Sequence, residues 1–558
     1  MAFAFLFLLL SSCSPAQQPT ATAFGSPTPR GGPTSTPAPA RYGGTLTLAN
    51  RGDPPAAWDP MVTTSIALHH VAGALFGPGN LVMRCRENTF LVCPYLAQSW
   101  AHNAAYTEWT FNVRTDAQWH DGAPFTAEDA AFWLNLAYFG AGAGGRVRPP
   151  AIYKGELGDI KAVEALPNNR LRVLFTTPSR AFDQALANPR MRIAHPRHLM
   201  QPRILAGEVG ISPLDVGLVG LGPFRLARYE KGSLIRLARF KGYWERDATA
   251  RPLPYLDAID YVVMPDINAM DVAFRTGRLD GGARGEGHYL TLERKQAYER
   301  GMGDGVFFAE IQGGQFRIAF NVLKQGPWQD ARVRRAIGMW IDKESAIPAV
   351  MGGLGYIVPP ETPFSAPQFV NWPYFDRRPL AERRTEAKQL MADAGYADGF
   401  AMQYLCRNNA PERCEFLKAQ LADLNVDLQI LLVDEATWNR SRTTLEFDSQ
   451  NGANFAPPIP EATEAVYGVY SQNRDAYAKH EDPRVTQFYA QLRATGNPAT
   501  RVDLWRTLER YLFHEQAYVI PIAHSLQVVP FRTYVKGLPT PTEDGHANTD
   551  FATVWVDK

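Results

Sequence analysis

The chain has 558 residues, enough for several domains at about 100–200 residues each. Its 57 Lys and Arg balance 56 Asp and Glu, and that near-zero net charge argues against a nucleic-acid partner, whose phosphates demand a surplus of basic side chains. Apolar residues at 45% exclude a disordered chain, and 45 Gly with 43 Pro favour a loop-rich α/β body over a helical bundle.

The first element in chain order is Ala2–Leu10, continuously apolar. As a helix it would span about 14 Å, short of the ~20 residues that cross a bilayer, so it reads as the hydrophobic core of an export signal. Leu10-Ser11-Ser12-Cys13 resembles the bacterial lipobox. That resemblance implies cleavage after residue 12, lipidation of Cys13 and an extracytoplasmic protein on the outer face of the cell membrane. The alternative is an ordinary secretory signal with an incidental Cys. Residues 14–40 are rich in Pro, Thr and Ala with one charge, Arg30, and form an extended tether with a reach of roughly 30 Å. Beyond Cys13 four cysteines remain, in two pairs eight positions apart: Cys85/Cys93 and Cys406/Cys414. An oxidising compartment makes two local disulfides the economical reading, and the C-x2-4-C spacing of a metal site is absent.

Period-two patterning predicts strands at Gly44–Ala49, Trp109–Val113, Leu171–Phe175, Ile235–Phe240, Ile259–Met264, Phe316–Val322, Leu428–Val433 and Val519–Ala523. Helices are predicted from Thr126 with Asp129 as a capping pair, from Asp330 with Val333, Ile337, Trp340 and Ile341 inward, from Pro379 to Ala394-Gly395, and from Thr500 with Val502, Trp505, Leu508 and Leu512 inward. Trp119-His120-Asp121-Gly122 reads as a strand running into a tight turn, with His120 more plausible as a turn or core residue than as a ligand.

The same segments carry a resemblance. Leu96–Trp100 and Trp109–Leu134 look like the signature of ABC-transporter solute-binding proteins of family 5, the peptide/dipeptide/nickel-binding class. Further stretches follow in the family's order: Gly222–Trp244, Pro254–Asp266, Ala273–Asp280, Ile318–Ile347, Ala387–Phe400 and Val519–Ser525. The resemblance implies an α/β fold of the periplasmic-binding-protein type II, with two lobes joined by hinge strands and an extra inserted subdomain (cluster C). Lobe one would comprise residues 41–312 plus 526–558, with its insert at about 74–186, and lobe two residues 313–525. Gly313 and Gly314 suit a hinge, because glycine absorbs large backbone changes without steric cost.

No catalytic signature accompanies these blocks. G-x-S-x-G, H-E-x-x-H and G-x-x-x-x-G-K-[ST] are absent, and the G-x-G-x-x-G letters at Gly140–Gly145 follow a predicted helix where a dinucleotide site needs a strand. The reading is therefore a binding protein, not an enzyme, without cofactor or metal. The family implies capture of a peptide or other small solute between the lobes and delivery, as a monomer, to ABC permease subunits with their ATPases. An acidic residue in lobe two usually meets the peptide's ammonium there, in a W-x-x-D-x-x-x-P stretch. This chain departs from that stretch: Asp448 is the best positional match, followed by Asn451 and Asn454 in place of a second charge, and a solvated loop carboxylate is the alternative. From lobe one, Trp58 would stack on a ligand, Arg284 would bind a carboxylate, and Gln312 lies at the crossing. Oligosaccharide, opine and nickel-chelate binders share the blocks, and a tethered sensor or chaperone is the reading from another class.

Overall fold

Two long strands, Val306–Phe320 and Val519–Arg532, lie antiparallel and are shared by both halves of the body. The structure is a computed structural model; it describes residues 40–558 except 56, 64, 87–90, 142–146, 283–289, 358–377, 409, 452–477, 496 and 539–549. Cys13 and the tether lie outside the described residues. One half of the ladder pairs Val306–Gln312 with Leu526–Arg532, and the other pairs Gln315–Ala319 with Val519–His524. Between them the register slips, with Gly313 and Gly314 opposite Ser525 alone. A bulge of this kind kinks a ladder locally, and glycine takes the kink at least cost.

The second half of this ladder forms the centre of a six-stranded sheet, ordered Gly355–Tyr356, Val519–Arg532, Val306–Phe320, Ser449–Gln450, Phe400–Arg407 and Val426–Val433. In the first half a four-stranded sheet runs Thr45–Asn50, Ala258–Val263, Leu234–Arg239, Phe224–Glu230. Gly281 bridges that sheet to the ladder, parallel to Leu48 and antiparallel to Phe531. A separate antiparallel sheet, Ala97–His102, Glu108–Val113, Arg170–Phe175 and Ile160–Leu166, belongs to the insert.

Local chemistry places the helices that cover these sheets. Thr126 and Asp129 close a reciprocal capping box on helix Ala127–Phe139, whose Trp133, Leu134 and Ala137 pack on Trp109, Phe111 and Val173 of the insert sheet. Asp330 caps helix Ala331–Trp340 by accepting from the Arg332 N–H, and Val333, Ile337 and Trp340 join Phe316 and Ile318 in the second core. Pro379 stands one position earlier than predicted, just before helix Leu380–Asp393. The predicted helix at Thr500 opens at Pro498 and widens after Glu509 into a π-type turn over Arg510–Glu515. Both cysteine pairs are bonded: Cys85–Cys93 staples the hairpin of Val82–Arg84 and Val92–Pro94, and Cys406–Cys414 joins a strand end to the first turn of helix Pro411–Ala422.

Polar pins fix the loops. Asp59, Arg148 and His195, all nearly sealed from solvent, meet where the insert joins the first half; His195 Nε2 stands 3.1 Å from Asp59 Oδ1, and Arg148 donates to the other carboxylate oxygen and to the Ile211 carbonyl. Burial works against the Asp59 charge, yet His195 and Arg148 beside it hold the carboxyl well below the usual carboxylate range. His120 is a second pin: its Nε2 lies 3.0 Å from the Gly222 carbonyl, and its Nδ1 accepts the Gly220 N–H at 3.1 Å. That pattern requires the neutral ring with the proton on Nε2, since a proton on Nδ1 would face another N–H. Burial pushes the imidazole down to about 4.

Because the folded pKa lies below the unfolded value, the His120 contribution is complete above about pH 6.5 and shrinks as pH falls towards about 4, by at most about 3 kcal/mol. Thermal denaturation of His120→Gln should show a lower melting temperature at neutral pH and a flatter slope across this window than the parent chain. Equal slopes in the two proteins would show that His120 is not the titrating group.

Candidate functional site

Strand direction decides which residues can meet a ligand. In the second half, Phe400–Arg407, Val426–Val433 and Ser449–Gln450 run parallel to one another and antiparallel to Val306–Phe320, so their carboxyl ends point back towards the crossing. In the first half, Gly281 runs antiparallel to the outgoing strand at Phe531, and Leu48 and Ala258–Val263 run parallel to Gly281, so Asn50 and Val263 also end inwards. The chain therefore leaves the strand ends at Asn50, Val263, Arg407, Val433 and Gln450 on the sides of both sheets turned to the crossing. Ligands of α/β sheets bind at such carboxyl ends.

Trp58 lies in the first of these loops with a left-handed backbone (φ 50°), uncommon for a bulky residue, and its fully buried indole meets Tyr229 edge-on at 5.1 Å. Gln312 pairs with Leu526 at the crossing itself. Arg284 and Asn454 lie outside the described residues. Asn451 follows the short strand Ser449–Gln450 inwards, donates its backbone N–H to the Leu405 carbonyl, and keeps a buried carboxamide oxygen without a hydrogen-bond partner among the described residues. Asn50, at the inner end of the first strand, does the same: it is fully buried, its Nδ2 reaches the Ala67 carbonyl at 3.4 Å, and its Oδ1 has no partner.

Asp448 stands elsewhere. Its carbonyl accepts the Asn321 N–H, six residues beyond Gln315 and so about 20 Å from the crossing at strand rise. Its carboxylate accepts the Gln403 N–H at 2.9 Å and pairs with Lys324 Nζ at 2.6 Å. Asp448 thus ties the outer end of the second sheet, with its charge already compensated.

Three residues at the inner face were not anticipated from sequence. Arg407 ends its strand one position beyond the disulfide cysteine, nine-tenths buried, with its guanidinium 4.9 Å from the Trp438 ring centre; Arg442 flanks the same ring at 5.0 Å. Two cations on one indole form a rigid positive edge at the carboxyl end of the sheet. The only signal for it was Arg407 directly after Cys406 in a turn-rich run. Among the described residues no group of three His, Cys, Asp or Glu side chains is placed to hold a metal, and no helix is long and apolar enough to cross a membrane.

Two α/β halves sharing a pair of crossing strands, with inward loops on both, define a two-lobe binding protein of type II fold. The sequence profile of the bacterial extracellular solute-binding proteins, family 5 Middle, matches residues 92–477, and the chain belongs to this family of ABC-transporter solute-binding proteins rather than to an enzyme family. It is 24% identical over 528 residues to the dipeptide-binding protein of Escherichia coli K12, covering 88% of this chain and 91% of that one. The fold resembles the periplasmic binding protein DppA of Helicobacter pylori, solved with the peptide STSA (TM-score 0.74, 20% identity, 93% of this chain and 99% of that one). It also resembles NikA of Brucella suis, solved with Fe(III)-EDTA (TM-score 0.72, 19% identity, 92% and 100%).

Removing the Asp448 carboxylate leaves the Gln403 N–H and Lys324 without their partner. Asp448→Ala should lose about 1–3 kcal/mol of stability, and Lys324→Ala, whose ammonium is half exposed, under about 1 kcal/mol. Neither change should alter solute affinity. Thermal melts paired with calorimetric titration check this; a large affinity loss at unchanged melting temperature would put Asp448 in the binding face.

Proposed function

We propose that this protein is the extracytoplasmic, lipid-anchored receptor of an ABC importer, which captures peptides or peptide-like solutes between its lobes and hands them to a membrane permease. The observation that carries the reading is the inward direction of the parallel strands in both lobes, which turns their carboxyl ends towards the crossing. It is supported by family membership and by the similarity to a dipeptide-binding protein.

In this reading the ligand lies between Arg284 of lobe one and Asn451 and Asn454 of lobe two, beside Gln312, while Trp58, buried against Tyr229, anchors the loop behind the site from the core. Buried amide oxygens at Asn50 and Asn451 accept donors from the solute, and Arg407 presents its guanidinium edge to a carboxylate. The ammonium-binding task belongs to these inward acceptors, while Asp448 pins the outer end of the sheet. Closure turns about Gly313 and Gly314, and the loaded, closed form is selected by contacts that only it makes. Cys13 and residues 14–40 hold the body at the membrane surface.

Native mass spectrometry of the protein purified without denaturation should reveal a small co-purifying solute, and calorimetry should show peptide binding that weakens about tenfold or more in Arg407→Ala. Peptides that fail to bind in any length class would overturn the peptide reading. Cys13→Ala should shift the protein from the membrane to the soluble or unprocessed fraction; continued attachment would refute the lipid anchor.

A further inference from the structure

A second site lies away from the cleft. We infer that the outer face of lobe two carries a pocket for a phosphate-type oxyanion. The pocket forms where helix Ala331–Trp340 meets the crossing strand at Ile520 and Pro521, with a volume of about 70 Å³, room for several water molecules. Arg335, Lys343, Arg383 and His514 line it, and none of its lining residues is acidic. Ile520 and Ala517 supply an apolar floor, which lowers the local dielectric and strengthens any charge pairing above it.

Arg335 carries the argument. Its two arginine neighbours on the same helix are satisfied: Arg332 forks onto the Asp330 carboxylate, and Arg334 donates to the carbonyls of Trp328, Gln329 and Gln516. Among the described residues Arg335 has no hydrogen-bond or ion-pair partner, and its Nε is buried. Across the pocket, Arg383 is held by backbone alone, donating to the Arg378 and Met339 carbonyls at 3.2 and 3.3 Å, so its guanidinium is oriented without being neutralised. Two oriented guanidinium groups, those of Arg335 and Arg383, repel one another around one small space, the more so over an apolar floor. A single carboxylate offsets one such charge. A phosphate group carries up to two charges and three strong acceptor oxygens, and it matches the planar donor fork of arginine.

The group's source is either a free phosphate or phosphate ester, or the headgroup of an anionic lipid. Both present the same chemistry, and the site is independent of whichever solute occupies the cleft.

The test is a phosphate titration of the full chain, followed by calorimetry and thermal shift against chloride at matched ionic strength. Saturable binding is expected, with melting temperature rising as phosphate is added and affinity about ten- to a hundredfold lower in Arg335→Ala. Arg335→Gln, which keeps the side-chain length, should show the same loss if the effect is charge and not folding. Co-sedimentation with phosphatidylcholine vesicles, with and without phosphatidic acid, separates the sources. Binding that needs the phosphatidic acid and Arg335 assigns a lipid headgroup, while binding of inorganic phosphate in solution assigns a free anion. No saturable response to either probe, or an equal response in the Arg335 variants, overturns the site. Peptide capture in the cleft, measured on the same variants, should be unchanged, so this failure and failure of the transport reading are distinguishable.

Discussion

The rest of the structure depends on the pairing of Val306–Phe320 with Val519–Arg532. Both lobes are built on the same two backbones, so neither can move without the ladder taking up the change. Each ladder hydrogen bond is worth only about 1 kcal/mol, but twelve residue pairs along the two strands hold them together as a unit. The slip at Gly313 and Gly314 is the point where pairing is already interrupted and no Cβ restricts the backbone. The two sheets stay connected across it, since Gly281 bridges Leu48 of the first sheet to Phe531 of the ladder.

Charge is spent on holding this frame. The neutral total of the chain hides a set of buried pins, each joining segments distant in sequence. Asp59 ties to Arg148 and His195, Arg86 to Glu245 and Asp550, and Asp280 to Tyr534. Pairs of this kind add little over well-packed apolar residues, because desolvation offsets most of their attraction, but losing one partner is severe. Their effect is therefore positional. The Asp59 pin holds the turn that begins at Trp58, and the Asp280 pin holds the strand that leads into the loop bearing Arg284.

Much of this was legible from residue pattern, and the failures have physical causes. Strands with a clean period of two appear within a residue or two of their predicted limits, as at Glu108–Val113 and Arg170–Phe175. Of the crossing strands only the lobe-two halves were anticipated, at Phe316–Val322 and Val519–Ala523. Gly313 and Gly314 interrupt the alternation in one strand and Pro530 in the other, and each outer half is a strand only because the other is its partner. The cysteine pairs were legible because eight residues is a short loop to close. Asp448 matches the W-x-x-D-x-x-x-P stretch by position along the chain, and such spacing carries no strand direction. A carboxylate at the outer end of a strand and one at the inner end look alike in sequence, yet here they differ by about the length of the strand.

Direction also separates what this fold must keep from what it can change. The parallel strands of both sheets end inwards, so the loops after Asn50, Val263, Arg407 and Val433 share one cleft, while the outer ends carry pins such as Asp448–Lys324. The loop after Asn50 also carries core residues, since Trp58 and Met61 pack into the cores of the first half, so a substitution there changes stability as well as shape. A formally neutral body gives no bulk preference for ligand charge, so discrimination must arise from a few polar groups and not from the field of the whole chain.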